Sequence, residues 1–381
     1  MIDTIVLTIP YGKYKIISPE RFHPHPNILF NTGKSLVKCA NNPTKEDKNN
    51  DIYKPRLTLM KRWSVRGLEI TLKIEFSAPK ILFNNNADEI AEHDFEDLII
   101  AINRALVTMG IAIAHQSLKD ASVSAIHFAK NILITDGYTA QGIIKEINKI
   151  NLNQKLDIAR VTFINDGTSL QCYSKSHSLV IYDKVSDMNK AKKRPIDTDQ
   201  SIFQLSLWDV AQTSNKRLEI LRIEARLSKR QKLKQILNAI GHGDCLTFQS
   251  VFRKDVCQKA VLYYWDKIVL RENLFLFDMN NKPVIALQEA LKEDLKLKPK
   301  EAIYLVGLNL LCKEGGIRTL RSIIVRSSHQ RTWDRIITGV KKLNRNTNIK
   351  NCHGWIKQVA DQLRTFEPFK LSTCDVKNSK V

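Results

Sequence analysis

The sequence predicts an α+β fold in which an antiparallel sheet has helices on one face and an all-helical region follows. Over about the first 240 residues, segments that alternate apolar and polar residues, as half-buried strands do, are interspersed with segments of helical periodicity. From residue 245 onward the pattern becomes almost purely helical. We therefore expect two domains, residues 1–243 and 244–381, with the boundary near the sequence HGDC at 242–245.

The clearest predicted strand covers residues 68–77, where apolar and polar side chains alternate strictly until Pro79 ends the ladder. The opening sequence MIDTIVLTIP is also strand-like. We interpret it as a strand rather than a secretory signal, because it lacks a basic segment and a cleavage site. Further strands are predicted at 123–132, 177–185 and 217–228.

Helical periodicity predicts a helix over 94–110, where apolar residues form one stripe. Shorter helices are predicted at 139–151 and 229–241, and residues 186–216 form a polar insertion. The order strand–helix–strand therefore occurs twice, at 68–130 and 178–240, which indicates an internal pseudo-repeat. The tail from about residue 366 is expected to be frayed.

Charge is the strongest compositional signal. The chain has 60 Lys and Arg residues against 39 Asp and Glu residues, a net charge of +21. A surplus of this size repels itself within the fold and is typical of proteins that bind a polyanion, so we expect a nucleic-acid partner. A basic surface that only reflects an AT-rich genome is the alternative.

The composition disfavours membrane and secreted proteins. No apolar run approaches the roughly 18 residues of a membrane span, so we expect no membrane partner. The seven cysteines are scattered, odd in number and without a CxxC pair. This usage favours reduced thiols in the cytoplasm over a disulfide framework or a zinc ribbon.

Several predicted strands place ionisable residues on the face opposite their apolar residues. Glu224 lies between Arg222 and Arg226 on such a face, and a carboxylate flanked by guanidinium groups suits a divalent metal beside a phosphate. Glu75 and His127 occupy polar positions on two other strands. His127 either completes a metal site or is a hydrogen-bonded core imidazole.

Tyr182 and Lys184 share the polar face of the predicted strand at 177–185. A phenol with a pKa of about 10 is a poor nucleophile unless a cation stabilises the phenolate, and Lys184 is two residues away. Attack by this tyrosine on a metal-polarised phosphate would form a phosphotyrosine, which conserves bond energy for rejoining. Taken singly, Tyr182 is more typical of cross-strand packing, and the sequence RIEAR of an ion-paired strand face.

Five segments support a family assignment as an ordered set: MIDTIVLTIP, LKIEFSAPKIL, VSAIHFAKNI, SLVIYDKV and LRIEARLSK. Together they resemble the phage and plasmid rolling-circle replication initiators. The nearer resemblance is to the filamentous-phage replication proteins of the gene II/X type, and the more distant one is to the Rep_trans plasmid initiators. It covers residues 1–240 and extends to RTWDRI in the helical region.

The resemblance implies a site-specific DNA endonuclease and strand transferase. Members nick one strand of a double-stranded origin, become linked to its 5′ phosphate through a tyrosine, and leave a 3′-OH primer. Carried over motif by motif, this implies Tyr182 as the nucleophile, with Tyr173 as the alternative. It also implies a Mg²⁺ or Mn²⁺ site at the acidic motifs of Glu75 and Glu224. The family's aspartate motif reads AIHFAK here, so His127 takes that place.

The implied core is of a pseudo-duplicated HUH/Rep-like type, although the His-hydrophobic-His motif is missing and the HPH at 23–25 is interpreted as a loop. Implied partners are double-stranded origin DNA, single-stranded DNA, and a host helicase and polymerase, since no P-loop sequence is present. A homodimer is left open. The alternatives are a non-catalytic DNA- or RNA-binding protein, and a degenerate initiator that retains only the fold.

Basic residues of the sheet and helices are expected to bind the DNA backbone. Residues 300–326 have a helix–glycine turn–helix outline typical of duplex recognition, but such outlines are common in all-helical segments. The basic residues can equally serve only to position the backbone. The candidate DNA-binding residues are Lys73, Arg222, Arg226, Lys229, Arg230, Arg318, Arg321 and Arg326.

Overall fold

The computed structural model describes residues 1–50, 52–64, 67–149, 160–164, 167–191, 218–268, 283–293, 297–329, 331–336, 338 and 354–371. The strands within these residues are β1 (Ile2–Pro10), β2 (Tyr14–Ile16), β3 (Leu36–Asn41), β4 (Arg56–Ser64), β5 (Gly67–Ser77), β6 (Ile111–Ile113), β7 (Ser122–Ile134), β8 (Arg160–Ile164), β9 (Ser169–Tyr173), β10 (His177–Asp183) and β11 (Glu219–Leu227). Nine of them form one antiparallel sheet in the order β3–β4–β5–β1–β7–β11–β10–β9–β8, and β2 pairs with β6.

The helices of the described residues are α1 (Ile28–Asn31), α2 (Lys45–Asn49), α3 (Ala78–Phe83), α4 (Phe95–Thr108), α5 (His115–Lys119), α6 (Ala140–Asn148), α7 (Lys184–Ala191), α8 (Arg230–Ala239), α9 (Phe248–Val251), α10 (Lys254–Ile268), α11 (Pro283–Glu293), α12 (Pro299–Ser327) and α13 (Gly354–Thr365). The predicted α+β class, the antiparallel sheet and the helical C-terminal part are confirmed. None of these described helices has the length and apolar character needed to cross a membrane.

The strand order has an internal symmetry. Outward from the central β1–β7 pair, β5, β4 and β3 follow on one side, and β11, β10 and β9 follow on the other, with β8 at that edge. In each half a later strand returns beside the central one, β5 beside β1 and β11 beside β7, and helices follow it. The predicted pseudo-repeat has other bounds: residues 68–130 and 178–240 cover β5 to β7 and β10 to β11, whereas the symmetry relates β1 to β5 with β7 to β11.

One face of the sheet carries the apolar side chains and is covered by α4, α6, α8, α10 and α13. This core extends across the predicted domain boundary, because α10 and α13 pack against β7 with side chains such as Trp265 and Trp355. A separate small cluster joins Leu305, Leu308 and Leu320 of α12 to Trp333, which follows that helix. The core therefore has no break at residues 243/244, although the sequence pattern changes there.

The opposite face, called the polar face below, carries the polar side chains of the strands, and those at its middle, such as Arg222 and Glu224, are buried. At one end it is covered by α7 and residues 369–371, where Ile220 of β11 packs with Val185, Met188 and Phe369. The expectation of a frayed tail from residue 366 is wrong for residues 366–371. Their apolar side chains are buried, and the backbone N–H of Leu371 donates to an Asp88 carboxylate oxygen at 2.8 Å.

Candidate functional site

The middle of the polar face brings together side chains from β1, β7, β10 and β11. Antiparallel register aligns three rows across the last three of these strands. The rows are Asn131–Arg222–Tyr182, Ala129–Glu224–Val180 and His127–Arg226–Ser178. The predicted orientation of Arg222, Glu224 and Arg226 away from the apolar residues of β11 agrees with this register. Ala129 is small, which leaves room above the sheet for longer neighbouring side chains to converge.

Asp3, His127 and Glu224 form a cluster on this face that could hold a metal ion. One ligand atom from each of the three residues lies within 4.8 Å of the others, and His127 Nδ1 is 3.4 Å from Glu224 Oε1. Two carboxylates and one imidazole form a donor set that suits a divalent transition ion such as Mn²⁺, whereas Mg²⁺ takes oxygen ligands. The residues therefore fit the expected metal, with Mn²⁺ preferred by donor chemistry.

Asp3 reaches the polar face because β1 contains a β-bulge. Ile2 is aligned with Phe128 and Ile5 with Ile126, so three steps on β1 match two on β7. Ile2 and Ile5 are both buried in the core, and the residues between them turn to the other face. Sequence reasoning missed Asp3. The three-residue spacing of Ile2 and Ile5, in a strand that otherwise alternates, was the signal that could have found it.

Two arginines neutralise the carboxylates of the cluster. Arg226 donates to Glu224 Oε2 at 2.8 Å, and the buried Arg222 donates to Asp3 Oδ1 at 2.7 Å. Burial would raise the pKa of Glu224, but the His127 hydrogen bond and the two guanidinium charges outweigh it and hold that pKa well below its usual range. Glu224 is therefore ionised at neutral pH. The charges of Asp3, Glu224, Arg222 and Arg226 together sum to zero.

A buried hydrogen-bonded network holds Arg222 from behind. Arg222 also donates to Asn131 Oδ1 at 3.1 Å, and the Asn131 backbone N–H donates to Glu89. Glu89 in turn forms a buried ion pair with Lys130 at 2.6 Å and accepts the Phe369 N–H at 2.9 Å. These bonds give hydrogen-bond partners to residues of β7 that lie beyond the start of β1. They also link the cluster to the C-terminal segment.

Tyr182 lies on the polar face, half-buried, directly opposite Arg222. Its diagonal neighbour on β11 is Glu224, at a separation that usually places Cβ atoms about 7–8 Å apart. Burial raises the pKa of Tyr182 well above its ordinary value, and the charge of Arg222 opposes this while Glu224 adds to it. The phenol is therefore neutral in the resting protein, and deprotonation needs a base.

The predicted placement of Lys184 on the strand is wrong. β10 ends at Asp183, whose carboxylate accepts the Ser186 backbone N–H at 2.9 Å and so caps α7, in which Lys184 is the first residue. Lys184 is 1% exposed, and burial followed by the charge of Arg222 lowers its pKa to about 7. Arg222, rather than Lys184, is the permanent charge opposite Tyr182.

Tyr173 lies at the end of β9, 38% exposed on the same face, and its hydroxyl donates to Gln171. It is aligned with Ser178 and is therefore two strands away from β11. Tyr182 is only one strand away. Of the two candidate nucleophiles, Tyr182 is the nearer to the cluster.

Glu75 is not part of the cluster of Asp3, His127 and Glu224. It is exposed on β5, where it is aligned with Val6 of β1 and Arg56 of β4. It corresponds by strand order to Glu224 in the other half of the sheet. The predicted metal set is therefore only partly brought together, and Asp3 takes the place given to Glu75.

The candidate DNA-binding residues occupy different parts of the structure. Lys73 lies half-buried on the polar face, while Lys229 and Arg230 are exposed at the start of α8. Arg321 and Arg326 are at least partly exposed on α12, and the Arg318 side chain lies outside the described residues. The predicted glycine turn is present within α12 as a single non-helical residue, Gly316, with φ 77°. DNA binding by all these residues stays a prediction.

Comparison with known proteins did not extend the family resemblance. No protein family model, no curated protein and no solved structure matches the chain. Function is therefore inferred from the residues of the polar face.

Proposed function

We propose that the chain is a metal-dependent DNA strand transferase that nicks an origin to start rolling-circle replication of a phage or plasmid. The observation that carries the proposal is the shared location of Tyr182 and the cluster of Asp3, His127 and Glu224 on one face of the sheet. Arg222 lies between them and contacts Asp3. A nucleophile, a metal-binding donor set and an arginine for phosphate are the groups that this reaction needs.

In the proposed reaction the Tyr182 hydroxyl oxygen attacks the phosphorus of one phosphodiester. A bond from this oxygen to phosphorus forms, and the bond from phosphorus to the 3′ oxygen breaks. The phenol gives up its proton, and the departing oxygen takes up a proton to become a 3′-OH. A divalent ion held by Asp3, His127 and Glu224 would polarise the phosphate when bound.

Lys184 is proposed as the base that accepts the phenol proton. Its lowered pKa of about 7 means that a large fraction is neutral at physiological pH. Lys184 directly follows β10 and is two residues from Tyr182 along the chain. This differs from the role expected from the sequence, in which Lys184 stabilised the phenolate as a fixed cation.

Extension from the 3′-OH would require a host helicase and polymerase, which remain proposed partners together with double-stranded origin DNA and single-stranded DNA. A cytoplasmic location is part of the same proposal.

The test uses DNA that flanks the coding region, because the origin sequence is unknown. Single-stranded fragments labelled at their 3′ ends are incubated with the full chain and Mn²⁺ or Mg²⁺, and protein that carries the label is detected after denaturation. We expect an adduct that Tyr182→Phe abolishes and the matched variant Tyr173→Phe retains. The reverse result would move the nucleophile to Tyr173.

The second candidate is a non-catalytic nucleic-acid-binding protein of the same fold. It is favoured by the pairing of Arg222 with Asp3 and of Arg226 with Glu224, because an ion-paired strand face has the same appearance without any chemistry. Salt-sensitive retardation of duplex and single-stranded DNA, with no adduct under any metal condition, would support this candidate.

A further inference from the structure

The apolar face of the sheet extends beyond its helical cover at the end where β4 and β5 meet. Along β4, Leu57 and Leu59 are buried, whereas Trp63, which follows on the same face, is 61% exposed. Along β5, Leu72 is buried, and Leu68, which is aligned with Trp63, is exposed. The sheet therefore presents an apolar surface to solvent at this end, a feature that marks interaction sites.

Two further aromatic rings lie at the same end of the sheet. Tyr11 directly follows β1, and its backbone N–H donates to the Ile70 carbonyl oxygen at 2.9 Å, which places it beside β5. Phe30 of α1 contacts the Tyr11 ring edge-on, with the ring centres 5.8 Å apart. These two side chains are 60% (Tyr11) and 55% (Phe30) exposed. Tyr11, Phe30, Trp63 and Leu68 are called the aromatic patch below.

Three lysines accompany the aromatic patch. Lys13 is exposed in the turn after β1, and Lys34 is exposed one residue before Ser35, whose carbonyl oxygen accepts the Trp63 backbone N–H at 3.2 Å. Lys61 precedes Trp63 by two residues and donates to the Thr32 carbonyl oxygen at 2.8 Å; it is buried and contributes charge rather than a contact surface. Within the part of the chain that the structure describes, none of the three lysines forms an ion pair with a carboxylate. A polyanion would complement this charge.

We infer that the aromatic patch binds a single-stranded segment of DNA. Exposed rings on which unpaired bases stack, next to cations that bind the phosphates, are the usual construction of single-strand binding sites. The bases of a duplex stack on one another and cannot reach the rings. Protein interfaces are enriched in aromatic residues but depleted of lysine, so the lysines favour nucleic acid over a protein partner. The inference rests on the proposed function for the choice of DNA as the polymer.

The aromatic patch is remote from the cluster of Asp3, His127 and Glu224. Asp3 is at the start of β1 and Tyr11 follows its end, so about 25 Å of strand separates them. The cluster is also on the polar face, whereas Trp63 is on the apolar face. DNA bound at the aromatic patch is therefore distant from the reacting phosphate, and substitutions there leave the groups of the proposed reaction in place.

Equilibrium binding of a fluorescein-labelled oligodeoxythymidylate of about 12 nucleotides tests the inference. Anisotropy is measured with the full chain in EDTA, which prevents metal-dependent cleavage. We expect Trp63→Ala to weaken binding roughly 5- to 150-fold, the loss that corresponds to the stacking of one base. Phe163→Ala is the matched control, because its ring is exposed on β8 at the opposite edge of the sheet. It should leave the affinity unchanged.

Tryptophan fluorescence provides a second, independent readout. Trp265, Trp333 and Trp355 are buried, so Trp63 is the exposed indole among the described tryptophans. Stacking of a thymine on an indole quenches its emission, and we expect the oligonucleotide to quench the wild type but not Trp63→Phe. Because phenylalanine keeps a ring for stacking, Trp63→Phe should bind more tightly than Trp63→Ala. Equal quenching in the wild type and Trp63→Phe would overturn the inference.

Salt dependence tests the lysines. Lys34→Gln should reduce the slope of log K against log salt by about 0.7, the loss expected for one phosphate contact with a single strand. Arg62→Gln is the matched control, because Arg62 precedes Trp63 directly but lies on the polar face, paired with Glu69 at 2.8 Å. It removes the same charge and should leave the slope unchanged. Equal slopes for the two variants would contradict phosphate binding at the aromatic patch.

The aromatic patch and the proposed function fail in distinguishable ways. Weaker binding in Trp63→Ala without any covalent adduct in the wild type retains the patch and removes the nicking reaction. An adduct in the wild type with unchanged binding in Trp63→Ala retains the nicking reaction and removes the patch as a DNA site. Self-association that Trp63→Ala abolishes, with DNA affinity unchanged, would assign the patch to a second copy of the chain instead.

Discussion

Replacing Glu224 by Gln should weaken Mn²⁺ binding far more than replacing Glu75 by Gln. Both are glutamates on the polar face at corresponding places in the two halves of the sheet, but only Glu224 belongs to the cluster with Asp3 and His127. The pair therefore separates loss of a ligand from loss of a negative charge somewhere on this face.

The expected size follows from Coulomb attraction. Two unit charges 4 Å apart interact by about 4 kcal/mol at an effective dielectric constant of 20, so a divalent ion would lose about 8 kcal/mol of attraction to Glu224. Dehydration of the ion and release of Glu224 from Arg226 and His127 offset most of this gain. Loss of a group that only hydrogen-bonds to a metal ligand typically costs 10- to 100-fold in metal affinity. For loss of a ligand itself we therefore expect at least a 100-fold loss, about 2.7 kcal/mol.

Electron paramagnetic resonance of free Mn²⁺ measures this affinity directly, without DNA or activity. Glu224→Gln should lose measurable binding while Glu75→Gln stays within a few-fold of the wild type. Equal affinities for the two variants and the wild type would refute the metal site. A larger loss in Glu75→Gln would place the ion near Glu75 on β5 instead.

Three further predictions address charge coupling, proton transfer and stability. Single-stranded DNA should tighten Mn²⁺ binding, because the charges of Asp3, Glu224, Arg222 and Arg226 already sum to zero and the negative phosphate offsets part of the charge that the ion adds. Titration of Mn²⁺ with and without oligonucleotide measures this, and equal affinities would contradict it. The nicking rate should rise through an inflection near pH 7 as Lys184 becomes neutral, and Lys184→Gln should remove that inflection from the pH–rate profile. Glu89→Gln should lower the free energy of unfolding by about 3–5 kcal/mol in urea denaturation, against less than about 1 kcal/mol for the exposed pair of Glu96 and Lys119 in Glu96→Gln. Burial alone would raise the pKa of Glu89, but the charge of Lys130 lowers that pKa below its unfolded value. The stabilisation from ionised Glu89 is therefore present above the unfolded pKa and is lost as pH falls through the folded pKa. Acid should consequently destabilise the wild type more than it destabilises Glu89→Gln.

Local pattern was sufficient where a single element determined the outcome. Alternation predicted β5 and β11 with their apolar and polar faces, because side-chain direction in a strand has a period of two whatever lies beside it. The same reasoning failed at Lys184, because an N-capping aspartate at residue 183 starts a helix there. A capping interaction is local, so the sequence contained that information although alternation could not show it.

The candidate metal-binding set depended on tertiary structure. Glu75 and Glu224 are equivalent in the sequence pattern, since each is flanked by polar-face residues on a well-formed strand. Strand order distinguishes them: β11 pairs with β7, which supplies His127 and the small Ala129, whereas β5 pairs with β1 at Val6.

The sequence by itself determined which side chains of β5 and β11 face away from the core and that the chain carries a large positive charge. Only the assembled sheet decided which of those residues meet. Neighbours across strands are far apart along the chain, and a one-residue bulge in β1, at Asp3, changes which side chain joins the cluster.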